Sequence, residues 1–275
     1  VLRMIAVRRA ILYALLSAGA CLTTFPFLWM VCTAFKTYRE AATPSLQLFP
    51  AEWQWLNVIE TFRAAPFGTY FKNSFFVATV VTTAVVLTSM MAGYAFARLT
   101  FPGKKQLFAV VLATVMIPFE VTLIPNFVII NRLGWYDTYA ALIVPWCANA
   151  FYVFLVRQAF MTLPADFFEA ARMDGCGHLR FLVWIAGPLI KPVLVTVGLF
   201  AFLGSYNSLV WPLVVTGTDR MRVVQVGLTV FSGAEGVQFN LLMCASAIVI
   251  FPTVALYFMA QRYFAEGVVG AGIKG

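Results

Sequence analysis

Charged side chains are scarce in this chain. Only 11% of its 275 residues are Asp, Glu, Lys or Arg, whereas soluble proteins carry about a quarter. Hydrophobic residues make up 62%. There is too little polar side chain to cover a water-soluble protein of 30.5 kDa, so much of the apolar surface must face lipid. The composition therefore predicts an integral membrane protein.

Residues that bind metals or carry out catalysis are equally sparse. The single histidine, His178, has no second histidine or cysteine cluster near it, and the five cysteines form no CxxC pair. The sequence therefore predicts neither a zinc site nor a Ser-His-Asp triad. The nucleotide-binding pattern GxxxxGK[ST] is also missing. We expect no catalytic residue, no metal site and no cofactor bound by this chain.

The apolar residues fall into six blocks. Five blocks contain no charged residue, and the third contains only Glu120. Each block reaches the roughly 20 residues that a helix needs to cross a bilayer, and helices satisfy their own backbone in lipid. We predict an all-α integral membrane protein with one transmembrane domain over residues 1–275. The expected spans are 10–35, 73–97, 106–131, 138–157, 184–216 and 237–262, with an external loop at 37–70, a cytoplasmic loop at 161–183 and a tail at 263–275.

Basic residues predict the orientation, because they collect on the cytoplasmic side of membrane proteins. Six spans place both termini on one side, which then holds twelve of the 19 Lys and Arg residues. Both termini are therefore expected in the cytoplasm. Nucleic-acid binding is disfavoured, because these charges are scattered over short loops with no basic stripe. The first block, with 26 uncharged residues, is too long for a cleaved signal peptide.

The external loop 37–70 admits two interpretations. Its prolines and its aromatic residues, among them Trp53 and Trp55, suit a small external cap. The same aromatic residues suit a belt of side chains at the lipid–water interface.

The loop 161–183 contains the most informative pattern. Asp166 and Glu169 have the spacing of a capping box, with Asp166 as the N-cap residue of a helix that begins at Phe167. Gly175 can take the left-handed conformation that ends a helix. The pattern predicts a short cytoplasmic helix between these points.

One face of this predicted helix suits a protein partner. At helical spacing that face combines a bulky apolar residue, small residues and an acid. Its members are Phe167, Ala170, Ala171 and Asp174. An amphipathic helix lying on lipid would be rich in Lys and Arg, but only Arg172 is basic here. We expect the helix to dock in a groove of a partner.

These residues resemble the EAA motif of permease subunits of binding-protein-dependent ABC importers. Glu169-Ala170-Ala171 is followed by Asp174-Gly175, and the likeness to the carbohydrate-uptake (MalG-like) branch covers nearly the whole chain. The other motifs that carry it are Tyr94-Ala95-Phe96-Ala97-Arg98, Ile117-Pro118, Tyr206-Asn207, Trp211-Pro212 and Gly270-Ala271-Gly272-Ile273-Lys274-Gly275. Two positions depart from the family pattern: Cys176 replaces the usual Ala, and Tyr206 replaces a common Trp.

The resemblance implies one transmembrane subunit of an ABC importer for a sugar or sugar-like solute, working by alternating access in the cytoplasmic membrane of a prokaryote. It implies a second homologous permease subunit, two copies of an ATPase subunit that bind ATP and Mg²⁺, and an extracytoplasmic solute-binding protein. The EAA segment would be the coupling helix, in contact with the ATPase through Phe167, Glu169, Ala170, Ala171, Asp174 and Gly175. Gly272 and Lys274 in the tail would also reach the ATPase.

Four polar residues are candidates for the substrate pathway. An ionisable residue within a span is a functional candidate by default, which singles out Glu120. Asn126, Tyr206 and Asn207 could hydrogen-bond sugar hydroxyls or offer a ring face. Each of these groups could instead join helices together, and Glu120 could pair with a neighbouring helix or the partner permease.

Two other classes of membrane protein compete with this interpretation. An ion-coupled secondary transporter should carry acids in several spans and an internal repeat. An intramembrane hydrolase needs a paired nucleophile and base, or metal ligands. Glu120 alone meets neither requirement.

Overall fold

The computed structural model describes residues 2–43, 47–233 and 236–272. These residues are almost entirely helical. The helices are α1 (Leu2–Ala34), α2 (Tyr38–Ala42), α3 (Leu56–Ala64), α4 (Phe67–Arg98), α5 (Lys104–Val115), α6 (Phe119–Arg132), α7 (Tyr139–Ile143), α8 (Ala150–Thr162), α9 (Ala165–Met173), α10 (His178–Phe181), α11 (Gly187–Leu189), α12 (Lys191–Tyr206), α13 (Val210–Val215), α14 (Val224–Gly227) and α15 (Phe239–Gly272). Short 3₁₀ helices cover Val144–Trp146 and Leu228–Phe231, and a π-helix covers Leu182–Ala186. Two antiparallel strands, β1 (Ser232–Gly233) and β2 (Gly236–Val237), form a small hairpin.

Three helices are long and apolar enough to cross a membrane unaided: α1, α4 and α15. Three further pairs of consecutive helices are long enough to cross a membrane only if the two helices of each pair are counted together, and each pair is bent. The bends are 98° between α5 and α6, 41° before α8 and 90° before α12. The described residues therefore hold three uninterrupted spans, or up to six if each bent pair is one span.

The third and fifth predicted spans are not straight helices. Between α5 and α6, Pro118 lacks a backbone N–H and disfavours helix at the preceding residue, and the chain turns there. The fifth segment bends at Ile190, between Pro188 and Pro192. It ends at Tyr206, so that α13 is a separate short helix.

The last helix continues past the expected end of the sixth span. α15 runs without a break from Phe239 to Gly272, whereas a boundary was expected between residues 262 and 263. Gly272 is thus its final residue. Lys274 lies outside the described residues.

The helices group into two compact units within the chain. One comprises Val1–Phe67 and Gly227–Pro252, and the other comprises Gly68–Val226 and Thr253–Gly275. We describe each by itself.

In the first unit, the loop that follows α1 folds onto the end of that helix. Lys36 is only 3% exposed; its Nζ donates to Gln47 O at 2.5 Å and lies 4.6 Å from the Trp29 ring centroid. The amide of Asn57, on α3, donates to Ala34 O and Lys36 O at 2.8 and 2.9 Å. These bonds make the loop an ordered cap. Trp55, however, remains 66% exposed, as an interfacial residue would be.

A capping box begins α2 in this loop. The Glu40 N–H donates to the Thr37 hydroxyl oxygen at 3.3 Å, and the Glu40 carboxylate accepts from the Thr37 N–H at 3.0 Å. It also accepts from the Ala51 N–H at 3.1 Å. The backbone donors of Thr37 and then Ala51 lower the pKa of Glu40, because they bond to its charged form.

In the second unit, polar side chains tie the 217–224 segment to the helices. Asn73, 1% exposed on α4, donates to the carbonyls of Arg220 and Arg222 at 2.8 Å and accepts from the Tyr139 hydroxyl at 2.7 Å. The next residue, Ser74, accepts from the Val224 N–H at 2.9 Å.

Asp137 holds the start of the same segment. Its carboxylate accepts from the N–H groups of Gly217 and Thr218 and from the Thr218 hydroxyl, at 2.7 to 3.1 Å. Burial acts to raise the pKa of Asp137, but the hydrogen bonds from Thr218 and Gly217 outweigh it, and the net pKa is lowered.

Candidate functional site

The short cytoplasmic helix predicted from the sequence is α9, but it begins earlier than expected. It starts at Ala165 after Pro164, and no side chain caps it. The predicted capping box of Asp166 and Glu169 is wrong, because the fixed backbone of Pro164 already occupies the cap position. Asp166 instead lies in the first turn, where its negative charge interacts favourably with the helix dipole.

The end of α9 agrees with the prediction. Gly175 has a φ of +72°, which glycine adopts without the penalty of a Cβ atom. The Gly175 N–H donates to Arg172 O at 3.0 Å, and the Cys176 N–H donates to Ala171 O at 2.8 Å. These two bonds form a Schellman motif, which satisfies carbonyls left free at the helix end.

The two faces of α9 differ in exposure. Phe167 is 46% and Met173 88% exposed; the other exposed residues of α9 are Ala165, Asp166, Glu169, Ala170 and Arg172, and Asp174 at its C-cap is exposed as well. Ala171 is 6% exposed, so the expectation that it shares the free face with Phe167 is wrong. The sequence placed both on one helical stripe, but burial assigns Ala171 to the packed side.

Phe168 anchors α9 to the rest of the second unit. Its ring centroid lies 5.4 Å from that of Phe181, 6.1 Å from Tyr94 and 6.2 Å from His178. The Tyr94 hydroxyl and His178 Nδ1 are 2.7 Å apart. We name Tyr94, Phe168, His178 and Phe181 the aromatic mount. It connects α9 directly to α4.

The sequence interpretation missed the aromatic mount. From the sequence, His178 is weighed only as a metal ligand or a member of a catalytic triad, and Phe168 is not distinguished from Phe167. The signal was present in the spacing, since Phe168 and Ala171 are three residues apart and define a face of their own. In the described residues no group of three or more His, Cys, Asp or Glu side chains could hold a metal ion.

The second unit also contains a cavity of about 370 Å³. One wall is formed by three aromatic rings, Phe119, Trp146 and Trp211, whose centroids lie 5.3 to 6.3 Å apart. The Trp211 indole N–H donates to Ala141 O at 2.9 Å, which fixes its ring. The polar groups of the lining are Ser74, Asn149, Tyr152, Ser205 and Ser208.

The predicted substrate-pathway residues are not among the described residues that line this cavity. Glu120 is exposed in the first turn of α6, directly after the bend. Asn126 is partly exposed on the same helix. Tyr206 is 1% exposed and stacks on Phe202 with centroids 5.9 Å apart. Their part in the pathway stays a prediction.

Asn207 also lies outside the lining. It is exposed at the end of α12 and accepts a hydrogen bond from the Gln225 side chain at 3.2 Å. Its sequence neighbours Ser205 and Ser208 line the cavity instead. The part of Asn207 in the substrate pathway stays a prediction.

Comparison with known proteins identifies the family. Residues 84–269 match the model of the family described as "binding-protein-dependent transport system inner membrane component". The chain belongs to this family. It is therefore a permease subunit that crosses the inner membrane several times, and its transport system works with a binding protein.

Two named relatives are similar in sequence to this chain over nearly the whole length of each protein. The chain is 33% identical to the arabinooligosaccharides transport system permease protein AraQ of Halalkalibacterium halodurans, over 93% of each chain. It is 32% identical to the sn-glycerol-3-phosphate transport system permease protein UgpE of Yersinia enterocolitica, over 94% of each. A solved bacterial ABC transporter for the import of the acidic polysaccharide alginate has the same fold, with a TM-score of 0.82 at 21% identity and coverage of 95% and 97%.

Proposed function

We propose that this chain is one of the two transmembrane subunits of an ABC importer that moves a sugar or sugar-like solute into the cytoplasm by alternating access. The single observation that carries the proposal is the family match, together with relatives named for arabinooligosaccharides and sn-glycerol-3-phosphate. The partners are a second homologous permease subunit, two ATPase subunits and an extracytoplasmic solute-binding protein. ATP and Mg²⁺ bind to the ATPase subunits, and no cofactor binds to this chain.

In this proposal α9 is the coupling helix. Its free face offers apolar Phe167 and Met173 beside the acids Glu169 and Asp174, which suits a groove with basic residues at its rim. Movement of the ATPase pair would displace α9, and the aromatic mount would carry that displacement to α4 through Tyr94 and Phe168. Gly272 and Lys274, with both termini in the cytoplasm, would add a second contact to the ATPase.

The test is ATP-dependent uptake by the complete importer in proteoliposomes that carry its binding protein. Asp174→Lys places a positive charge on the free face of α9, and we expect roughly tenfold slower uptake, as for a lost or reversed charge at an interface. Glu169→Ala should lower uptake in the same direction. The control is Gln158→Lys, which places a lysine at an exposed position on α8 and changes the charge by +1, where Asp174→Lys changes it by +2.

Two outcomes would contradict the proposal. One is wild-type uptake in both Asp174→Lys and Glu169→Ala. The other is uptake that continues without ATP and collapses when an ionophore dissipates the proton and sodium gradients, as expected for an ion-coupled secondary transporter.

A further inference from the structure

The side chains that line the cavity of the second unit bear on the charge of the solute. Eighteen described residues line it, and none of them is Asp, Glu, Lys, Arg or His. The relatives include permeases named for a neutral solute and for an anionic one, arabinooligosaccharides and sn-glycerol-3-phosphate. The family alone therefore leaves the charge of the solute open, whereas the lining bears on it directly.

An anion would be poorly stabilised in this cavity. A phosphate or carboxylate removed from water needs a cation or several strong donors, and without them its burial is strongly unfavourable. Two charged residues adjoin the lining in sequence. Glu120 follows Phe119 at the aromatic wall and would repel an anion. Arg222 precedes Val223 but is paired with Asp219 at 3.0 Å. The polar groups that are present, hydroxyls and one amide, pair well with neutral hydroxyls.

The aromatic wall suits a sugar ring. A pyranose or furanose presents C–H groups on its faces and hydroxyls at its edge, and aromatic rings offer the matching apolar faces. Trp146 is only partly buried, so its ring remains available. Asn149, also in the lining, accepts from the Phe151 N–H at 2.9 Å, and among the described residues its amide nitrogen has no partner. That nitrogen can donate to a hydroxyl.

The volume limits how much of a solute can enter. Sites for small molecules measure roughly 300 to 1,000 Å³, and about 370 Å³ is near the lower limit. We propose that this cavity is a subsite for one ring of a neutral sugar and that it excludes sugar phosphates and uronic acids. This inference rests on the proposed function, because it identifies the charge class of the solute which that function leaves open.

Gly204 provides a variant that fills the cavity without disturbing the fold. It lines the cavity, and a Cβ atom added there meets no atom within 4 Å. Gly204→Leu should therefore occupy the space that the ring needs. Gly19→Leu is the matched control, because Gly19 is exposed on α1 and its added Cβ also meets nothing within 4 Å.

The experiment measures binding to the complete importer in nanodiscs without its binding protein, so that selection by that protein does not interfere. The probes are radiolabelled arabinotriose, lactose and sn-glycerol-3-phosphate. We expect the two neutral probes to bind at least tenfold more tightly than sn-glycerol-3-phosphate. Gly204→Leu should abolish this binding, and Trp146→Ala should weaken it roughly two- to tenfold through loss of the ring contact.

The inference is overturned if sn-glycerol-3-phosphate binds as tightly as the neutral sugars, if neither neutral probe binds, or if Gly204→Leu binds them like Gly19→Leu. ATP-dependent uptake of any solute by the same importer, with its binding protein restored, would still support the proposed function. The binding experiment can therefore contradict the inference about solute charge while the uptake experiment still supports the proposed function.

Discussion

Asn73 uses its whole side-chain amide to hold α4, Tyr139 and the 220–222 segment of the second unit together. Its nitrogen donates to two carbonyls and its oxygen accepts from Tyr139. We expect Asn73→Ala to destabilise the protein by about 1–3 kcal/mol, the usual effect of leaving buried polar partners unsatisfied. Thermal unfolding of the purified protein in detergent measures the change.

The control for this variant is Asn131→Ala. Asn131 is exposed, and among the described residues its side chain bonds only to Phe127 O of its own helix, at 2.9 Å. Its replacement should change stability by no more than about 0.5 kcal/mol. Equal effects of the two variants would show that the Asn73 bonds add nothing to stability.

Asp137 should make the attachment of Gly217 and Thr218 sensitive to acid. Its pKa is lowered below the ordinary 3.8 in the folded protein, so the carboxylate contributes stability above that pH. This contribution is lost as the pH falls through the lower folded pKa. Asp137→Asn keeps a side chain suited to the positive φ of 58° but does not titrate in this range.

The measurement is the unfolding temperature of both proteins between pH 7 and pH 3. The wild type should be the more stable at pH 7, and the difference should shrink below about pH 4. Parallel curves over this range would contradict a role for the Asp137 charge.

At the scale of single elements, the end of α9 depends on Gly175. Gly175→Ala should destabilise this end by about 1–2 kcal/mol, the cost of a Cβ in the left-handed conformation. Gly177→Ala is the matched control, because Gly177 has a φ of −73° and both positions have open space around an added Cβ.

Amide hydrogen exchange over residues 165–176 measures the effect. Faster exchange is expected in Gly175→Ala alone, and Gly175→Asn should lie between this variant and the wild type because Asn tolerates the conformation. Equal exchange in the two alanine variants would contradict the role of the left-handed turn.

The elements also show what the sequence could predict. The glycine that ends α9 was predictable because only a residue without a Cβ fits that turn well, and the apolar blocks were visible because lipid demands length. The bends before α6 and α12 were not predictable. The length of an apolar block shows how much chain can lie in lipid, but it does not show whether the helix is straight. The inward position of Ala171 also depends on which face meets α4 and α10, which is tertiary information.

The cavity lining shows the same limit. Polar residues within spans stand out because they are rare there. Trp146 resembles any other apolar residue of a span, and Trp211 stands out only as part of the Trp211-Pro212 motif, which says nothing about a cavity. Only the fold brings them together with Phe119.

At the scale of the whole molecule, the predicted orientation in the membrane can be tested by labelling introduced thiols. With both termini in the cytoplasm, the loop before α5 should lie inside and the β1–β2 hairpin outside. Lys105→Cys and Ser232→Cys place exposed thiols at these two points in a variant whose five native cysteines are changed to Ala. A membrane-impermeant maleimide should label the first only in inside-out vesicles and the second only in intact spheroplasts.

The cysteine-free protein should remain unlabelled in both preparations, which is the control. Labelling of both thiols from the same side would require an even number of crossings between them and would contradict the expected topology, which has three. The reverse pattern would place the termini outside.

The bonds of Asn73 also have a consequence for biosynthesis. Tyr139 follows Asn73 by 66 residues and Arg220 follows it by 147. At 5–20 residues per second, a ribosome needs roughly 7 to 30 s to complete the segment that satisfies this amide. During that interval Asn73, near the start of α4, must be hydrogen-bonded by water or by the insertion machinery, and this part of the second unit can be completed only after Arg222 has been synthesised.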